Sequence, residues 1–281
     1  MNKKYFFLLI LILTGEITFC VAQEKVLYKK IDSTELFLEI YKPSTQNESK
    51  LYPAMVFFFG GGWINGNRSH FINQAKYFSK RGMVCLLVDY RTESLNNTTP
   101  IESLKDAKSA IRYIRNSAMS FQIDSSKIIA SGGSAGGHLA AGTALIKDYN
   151  EDTDNLSIDC TPNALVLFNP VIDNGPGGYG YERIGENYKK FSPLHNIKKE
   201  APPTILLLGT NDKLIPVETG QYYKKVMEKV GSRCDLILYE GEGHGFFNYR
   251  NFNYYKKTLT DVDKFLISLG YLENEPNVNI E

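Results

Sequence analysis

The feature that most constrains this chain is Gly132-x-Ser134-x-Gly136, set between two segments of opposite character. Before it, Ile128-Ile129-Ala130 is a short β-branched run that stops at Ser131, and after it Leu139 to Ile146 reads as a helix. A serine on so sharp a strand-to-helix turn must take strained backbone angles. Flanking glycines let strand and helix approach closely enough to hold it there. The spacing therefore predicts a nucleophile elbow, with Oγ exposed above the amides of a new helix. The pentapeptide alone occurs in many glycine-rich turns; its place between a strand and a helix is what makes it specific.

Around the elbow, strand-like and helix-like segments alternate. Glu35–Tyr41 alternates apolar and polar residues as an edge strand does. Pro53–Phe59, Met83–Asp89, Ala164–Phe168, Thr204–Leu208 and Asp235–Tyr239 are continuous apolar runs suited to strands buried on both faces. Helical spacing marks His70–Lys80, a helix opened by Pro100 and reaching about Ser120, and stretches near 217–230 and 254–269. This order predicts an α/β fold: a mostly parallel sheet of about eight strands with helices on both faces and its chemistry at the carboxyl ends of the strands. With 281 residues, 43% of them hydrophobic, residues 23–281 suit one domain. Asn150–Cys160 and Asp173–Asn196 fit neither pattern and are expected on the rim of the site, too short for a separate cap.

The first 22 residues have the layout of a cleavable secretory signal. Lys3 and Lys4 precede an apolar stretch from Tyr5 to Leu13, and Ala22 supplies a small residue at the expected cut. That stretch is shorter than the ~20 residues of a spanning helix. Lipidation at Cys20 is the poorer fit, because the bulky Phe19 precedes it. A secreted or periplasmic location is expected. Removing residues 1–22 takes away Lys3, Lys4 and Glu16 and brings the formal net charge from +1 to zero. A neutral chain carries no electrostatic footprint for nucleic acid or an anionic membrane. Cys85, Cys160 and Cys234 lack CxxC spacing or paired histidines, which argues against a zinc site or a disulfide framework.

A serine hydroxyl needs a base to take its proton, and the base needs a carboxylate to fix its tautomer. On this architecture the chain order is Ser, acid, His. Four histidines allow elimination. His138 follows Ser134 on the same helix and is expected to point away from it. His70 precedes the elbow, and His195 lies upstream of the strand that should deliver the acid. His244, in a glycine-rich loop after the last strand, is the expected base. Asp212 follows the preceding strand and is the expected acid, although Asn-Asp after glycine is also turn chemistry. Asp173 is the reserve choice; Asp89 falls before the serine, and Asp106 is accounted for by a helix dipole. Gly60-Gly61-Gly62 after a buried strand can turn amides toward a developing oxyanion, so Gly61, Gly62 and Ala135 are assigned to that hole. No metal or organic cofactor is implied.

These residues resemble the α/β-hydrolase superfamily, in particular its carbohydrate-esterase-like (acetylxylan and feruloyl esterase) and hormone-sensitive-lipase-like branches. The resemblance runs from near Glu35 to near Gly270. It rests on Gly60-Gly61-Gly62-Trp63, Asp89-Tyr90-Arg91, Gly133 to Leu139, Ser192-Pro193, Ala201 to Thr204 and Gly209-Thr210-Asn211-Asp212. One departure is Phe59, where the group usually has a histidine that shapes the glycine loop. The resemblance implies a secreted serine esterase that removes short acyl groups, acetyl first, from carbohydrates through an acyl-enzyme. Phe59, Trp63 and Phe246 are expected to wall a small acyl pocket, with Trp63 and Phe246 touching substrate. Tyr179, Tyr181 and Tyr188 offer aromatic faces on the rim. The competing expectations are a lipase-like carboxylesterase, a prolyl-peptidase-like hydrolase, and a ligand-binding protein on the same fold.

Overall fold

The computed structural model describes residues 23–43, 47 and 49–273. The expected signal segment and Cys20 lie outside them. Among the described residues eight strands form one sheet: β1 (Gln23–Ile31), β2 (Thr34–Tyr41), β3 (Tyr52–Phe58), β4 (Val84–Val88), β5 (Ile123–Gly133), β6 (Ala164–Phe168), β7 (Thr204–Gly209) and β8 (Cys234–Tyr239). Their spatial order is β1-β2-β4-β3-β5-β6-β7-β8. The β1–β2 and β2–β4 pairs are antiparallel and every other pair is parallel.

The helices are α1 (Ile72–Lys80), α2 (Glu93–Asn96), α3 (Pro100–Asn116), α4 (Ala135–Leu145), α5 (Tyr181–Ile184), α6 (Tyr188–Phe191), α7 (Val217–Lys229) and α8 (Phe252–Ser268). Pro100 opens α3 as the sequence predicts, behind a capping box in which Thr99 and Glu102 satisfy each other's amides. Such a cap contributes about 1 kcal/mol. The helix stops at Asn116, short of the expected Ser120, where the chain enters turns that lead to Gln122 at φ 57°.

The apolar runs sort by the pleat. Val56, Phe58, Leu86 and Val88 face one core with α3, α4 and α7, whereas Met55, Phe57, Cys85 and Leu87 face a second core with α1 and α8. Burial on both faces is why β4, β6 and β7 read as unbroken apolar runs. Cys85, Cys160 and Cys234 are free and buried.

β1 is tied down by charge. Lys29 Nζ reaches Asp106 Oδ1 at 2.6 Å and Glu151 Oε2 at 2.9 Å, and Arg91 pairs with Asp106 at 2.8 Å and with Glu151 at 2.8 Å. Asp106 is fully buried, so these cations account for it, and the helix dipole is a minor contribution. Removing one partner of such a buried cluster typically costs ~3–5 kcal/mol, because it leaves another charge unpaired.

After β3 the chain crosses to β4 on one side and returns to β5 on the other. The carboxyl ends of β3 and β5 therefore flank a topological switch point, where α/β sheets place their sites.

Candidate active site

Ser134 lies between β5 and α4 at φ 55°, ψ −120°, a strained geometry for a residue with a Cβ. The turn is tight because Gly132 and Gly136 face each other: a Cβ on Gly132 would run into the carbonyl of Gly136. The backbone is held from below, with the Ser134 amide donating to Phe168 O at 3.0 Å.

Ser134 Oγ lies 2.9 Å from His244 Nε2, and His244 Nδ1 lies 2.8 Å from Asp212 Oδ2. A carboxylate only accepts, so Nδ1 carries the proton and leaves Nε2 bare toward the hydroxyl. Asp212 has a fully buried side chain, and its Oδ1 accepts from the amides of Leu214 and Ile215 at 2.9 and 3.0 Å. The three residues singled out in the sequence are thus brought together from the ends of β5, β7 and β8. Asp173, the reserve acid, lies elsewhere: it accepts from the Gly175 amide and stands 3.7 Å from His195.

Gly61 and Gly62 have φ of 128° and 65°, which a Cβ-bearing residue rarely adopts. Among the described residues, the amides of Gly61, Gly62 and Ala135 donate to no protein acceptor. Phe59, the residue before the glycines, stacks against Tyr90 inside the core.

The cavity over Ser134 holds about 270 Å³ and is lined by Gly60–Gly62, His70, Asn169, Tyr179, Leu214, His244, Phe247 and Asn248. Neither Trp63 nor Phe246 is among these residues, and the expectation that they touch substrate is corrected. Trp63 is fully buried: φ 59° turns it under the rim segment, where it packs on His138, Tyr179 and Phe191. Phe246 packs on Tyr239 and Tyr254, and its neighbour Phe247 takes the cavity wall. Of the rim tyrosines, Tyr179 reaches the cavity, its hydroxyl close over Gly62, whereas Tyr181 bonds to Glu186 and Tyr188 packs on His195.

His138 is buried, as its orientation along α4 requires, and its Nε2 pairs with Phe191 O at 3.0 Å. Desolvation lowers its pKa to about 3. Several cavity residues had no role in the sequence reading, Asn169 and His70 among them. Asn169 follows β6, accepts from the Gly245 amide at 3.1 Å and stands 3.3 Å from His244 Nε2. His70 follows no motif, and desolvation lowers its pKa too. Among the described residues no group of three or more His, Cys, Asp or Glu side chains is placed to hold a metal ion. Nor is any helix among them long and apolar enough to cross a membrane.

A family model described as BD-FAE matches residues 38–176, and one described as the prolyl oligopeptidase family matches residues 166–267. The apo form of Thermogutta terrifontis esterase 2 superposes with a TM-score of 0.86 at 42% identity, covering 90% of this chain and 97% of that one. The chain belongs to the α/β-hydrolase superfamily. The propionate-bound form of the same esterase gives a TM-score of 0.85 at 42% identity, over 90% of this chain and 96% of that one. More distant members of the superfamily include an isoprenylcysteine alpha-carbonyl methylesterase of Arabidopsis thaliana, 26% identical over 74% of this chain and 53% of its own. An acetylxylan esterase of Xylanibacter ruminicola is 28% identical over 77% of this chain and 45% of its own. The α/β-hydrolase chain spans about half the length of these two relatives.

Proposed function

We propose that this chain is an exported serine esterase that releases short acyl groups, acetyl first, from carbohydrate esters. The observation that carries the reading is the unbroken relay from Ser134 Oγ through His244 to the buried Asp212, in a cavity that Gly61 and Gly62 also line. Ser134 Oγ attacks the ester carbonyl carbon as its proton passes to His244 Nε2. The carbon–oxygen bond to the alcohol then breaks, and that proton goes to the departing oxygen. Water repeats the sequence on the acyl-enzyme, yielding the acid and restoring Ser134. Asp212 holds the Nδ1–H tautomer and stabilises the imidazolium. Gly61, Gly62 and Ala135 amides receive the oxyanion.

Short acyl groups are favoured by the size of the cavity and by the walls that Tyr179, Leu214 and Phe247 place around Ser134. A chain that outgrows these walls extends into water, where an added methylene gains far less than the ~0.8 kcal/mol of full burial. The carbohydrate assignment leans on the similarity to the acetylxylan esterase. Export leans on residues 1–22, and exported protein should begin at Gln23 by N-terminal sequencing.

The test is a panel of acetyl, propionyl, butyryl, octanoyl and feruloyl esters with acetylated xylan. The expected result is a kcat/KM highest for acetyl or propionyl esters and lower by octanoyl, with acetate released from xylan. A steady rise through octanoyl would move the protein to the lipase-like branch. The match of residues 166–267 to the prolyl oligopeptidase family favours a peptidase as the second reading. Cleavage of aminoacyl-nitroanilides without hydrolysis of p-nitrophenyl acetate would establish it.

A further inference from the structure

His70 is hydrogen-bonded to neither Ser134 nor His244, yet both of its ring nitrogens are engaged by the loops that carry the chemistry. Nδ1 accepts from the Gly60 amide at 3.0 Å. Nε2 lies 2.7 Å from Asn248 Oδ1. Because a backbone amide can only donate, Nδ1 is bare and Nε2–H is the donor to Asn248. Asn248 Nδ2 in turn donates to Gly245 O at 2.7 Å, while the Gly245 amide donates to Asn169 Oδ1 at 3.1 Å. The residue after His244 is therefore gripped at both its N–H and its C=O. One grip runs through His70 to the residue before Gly61. The imidazole is fixed sideways by Phe71 and Phe247, with ring centroids 4.8 and 5.6 Å away. There is little slack on the other side: a Cβ on Gly60 would lie 3.3 Å from His70 Cε1 and 3.5 Å from Ser134 Cβ.

We propose that His70 is a positioning residue that braces the Gly60–Gly62 loop against the His244 loop, setting the distance between oxyanion donors and base. The inference rests on the reading of Ser134 and His244 as nucleophile and base. The ring acts as a rigid spacer with an acceptor on one side and a donor on the other. Glutamine offers the same pair, an amide oxygen for Gly60 N–H and an amide N–H for Asn248. Leucine fills the space and offers neither.

The test has a kinetic and a structural arm. In p-nitrophenyl acetate hydrolysis, His70→Leu should lower kcat about 10- to 100-fold, as expected for a misplacement near 1 Å, with KM changed less than about threefold. His70→Gln should recover most of the loss. A His70→Leu enzyme with wild-type kcat, or a folded His70→Gln enzyme as slow as His70→Leu, would overturn the brace. The structural arm needs no turnover. By 15N NMR, His70 should be a neutral ring protonated at Nε2, and the Gly60 amide should exchange slowly in the wild type and fast in His70→Leu. A ring protonated at Nδ1 overturns the brace whatever the activity. An active Ser134→Ala enzyme would instead remove the reading of the site, leaving the NMR arm to decide the brace.

Discussion

Phe59 lies flat against Tyr90, ring centroids 3.9 Å apart and planes 13° from parallel, and the Tyr90 hydroxyl donates to the carbonyl oxygen of Phe59 itself at 2.7 Å. The glycine loop is thus anchored through the residue before it, by stacking and by one buried hydrogen bond. Tyr90→Phe keeps the stack and leaves that carbonyl without its partner. It should lower the free energy of unfolding by about 1–3 kcal/mol, read by urea denaturation. A change within about 0.3 kcal/mol would mean the bond does not anchor the loop.

Ser134 allows activity and strain to be separated. Both Ser134→Ala and Ser134→Gly should lose roughly 10⁴-fold or more in kcat, since triad members act as a unit. Glycine alone relieves the backbone at φ 55°, ψ −120°. Strain of ~1–3 kcal/mol, offset by the greater unfolded-state freedom of glycine, leaves Ser134→Gly about 1 kcal/mol more stable than Ser134→Ala. Equal melting temperatures for the two variants would show an unstrained elbow.

Asp212→Asn should cost about 10³- to 10⁴-fold in kcat while the fold survives. The amide oxygen can still accept from Leu214 and Ile215, but the amide nitrogen then faces His244 Nδ1 and selects the wrong tautomer. Steady-state kinetics with a circular-dichroism check decides it; near-normal turnover would point to another acid.

The buried histidine His138 makes stability depend on pH. Its folded pKa is lowered to about 3 by desolvation, so the folded ring stays neutral while the unfolded one takes a proton near pH 6.5. The unfolded state therefore binds more protons between pH 6.5 and about 3. The contribution is full above pH 6.5 and is lost as pH falls through that window, by at most ~1.4 kcal/mol per pH unit for one proton. Between pH 7 and pH 5 the wild type should lose about 1–2 kcal/mol more than His138→Gln, which keeps a donor for Phe191 O. Parallel pH dependences in urea unfolding would contradict this.

What the sequence revealed depended on whether a role lies along the chain or across it. Buried strands announced themselves as apolar runs because both faces of β4, β6 and β7 are covered. Ser134 and Asp212 could be picked out because each follows such a run, and His244 because it comes next in the fixed order, after the half-buried edge strand β8. β1 gave no such signal: its lysines interrupt the pattern, and Lys29 is an inward residue only because Asp106 and Glu151 receive it. Trp63 beside the triple glycine read as a pocket wall, but the backbone angle that buries it cannot be seen in composition. His70 and Asn169 act through partners up to 178 residues away, a relation that no local spacing encodes.

The Lys29 cluster also sets an order of events. β1 is the first strand of the sheet to be synthesised, yet the carboxylates that neutralise its ammonium follow 77 and 122 residues later. At about 5–20 residues per second, Glu151 emerges roughly 6 to 24 s after Lys29. Until β4 follows and pairs with β2, β1 and β2 make at most a two-stranded hairpin, which is marginal alone in water. The strand made first is sealed late, when the α3–α4 half of the molecule has already been translated.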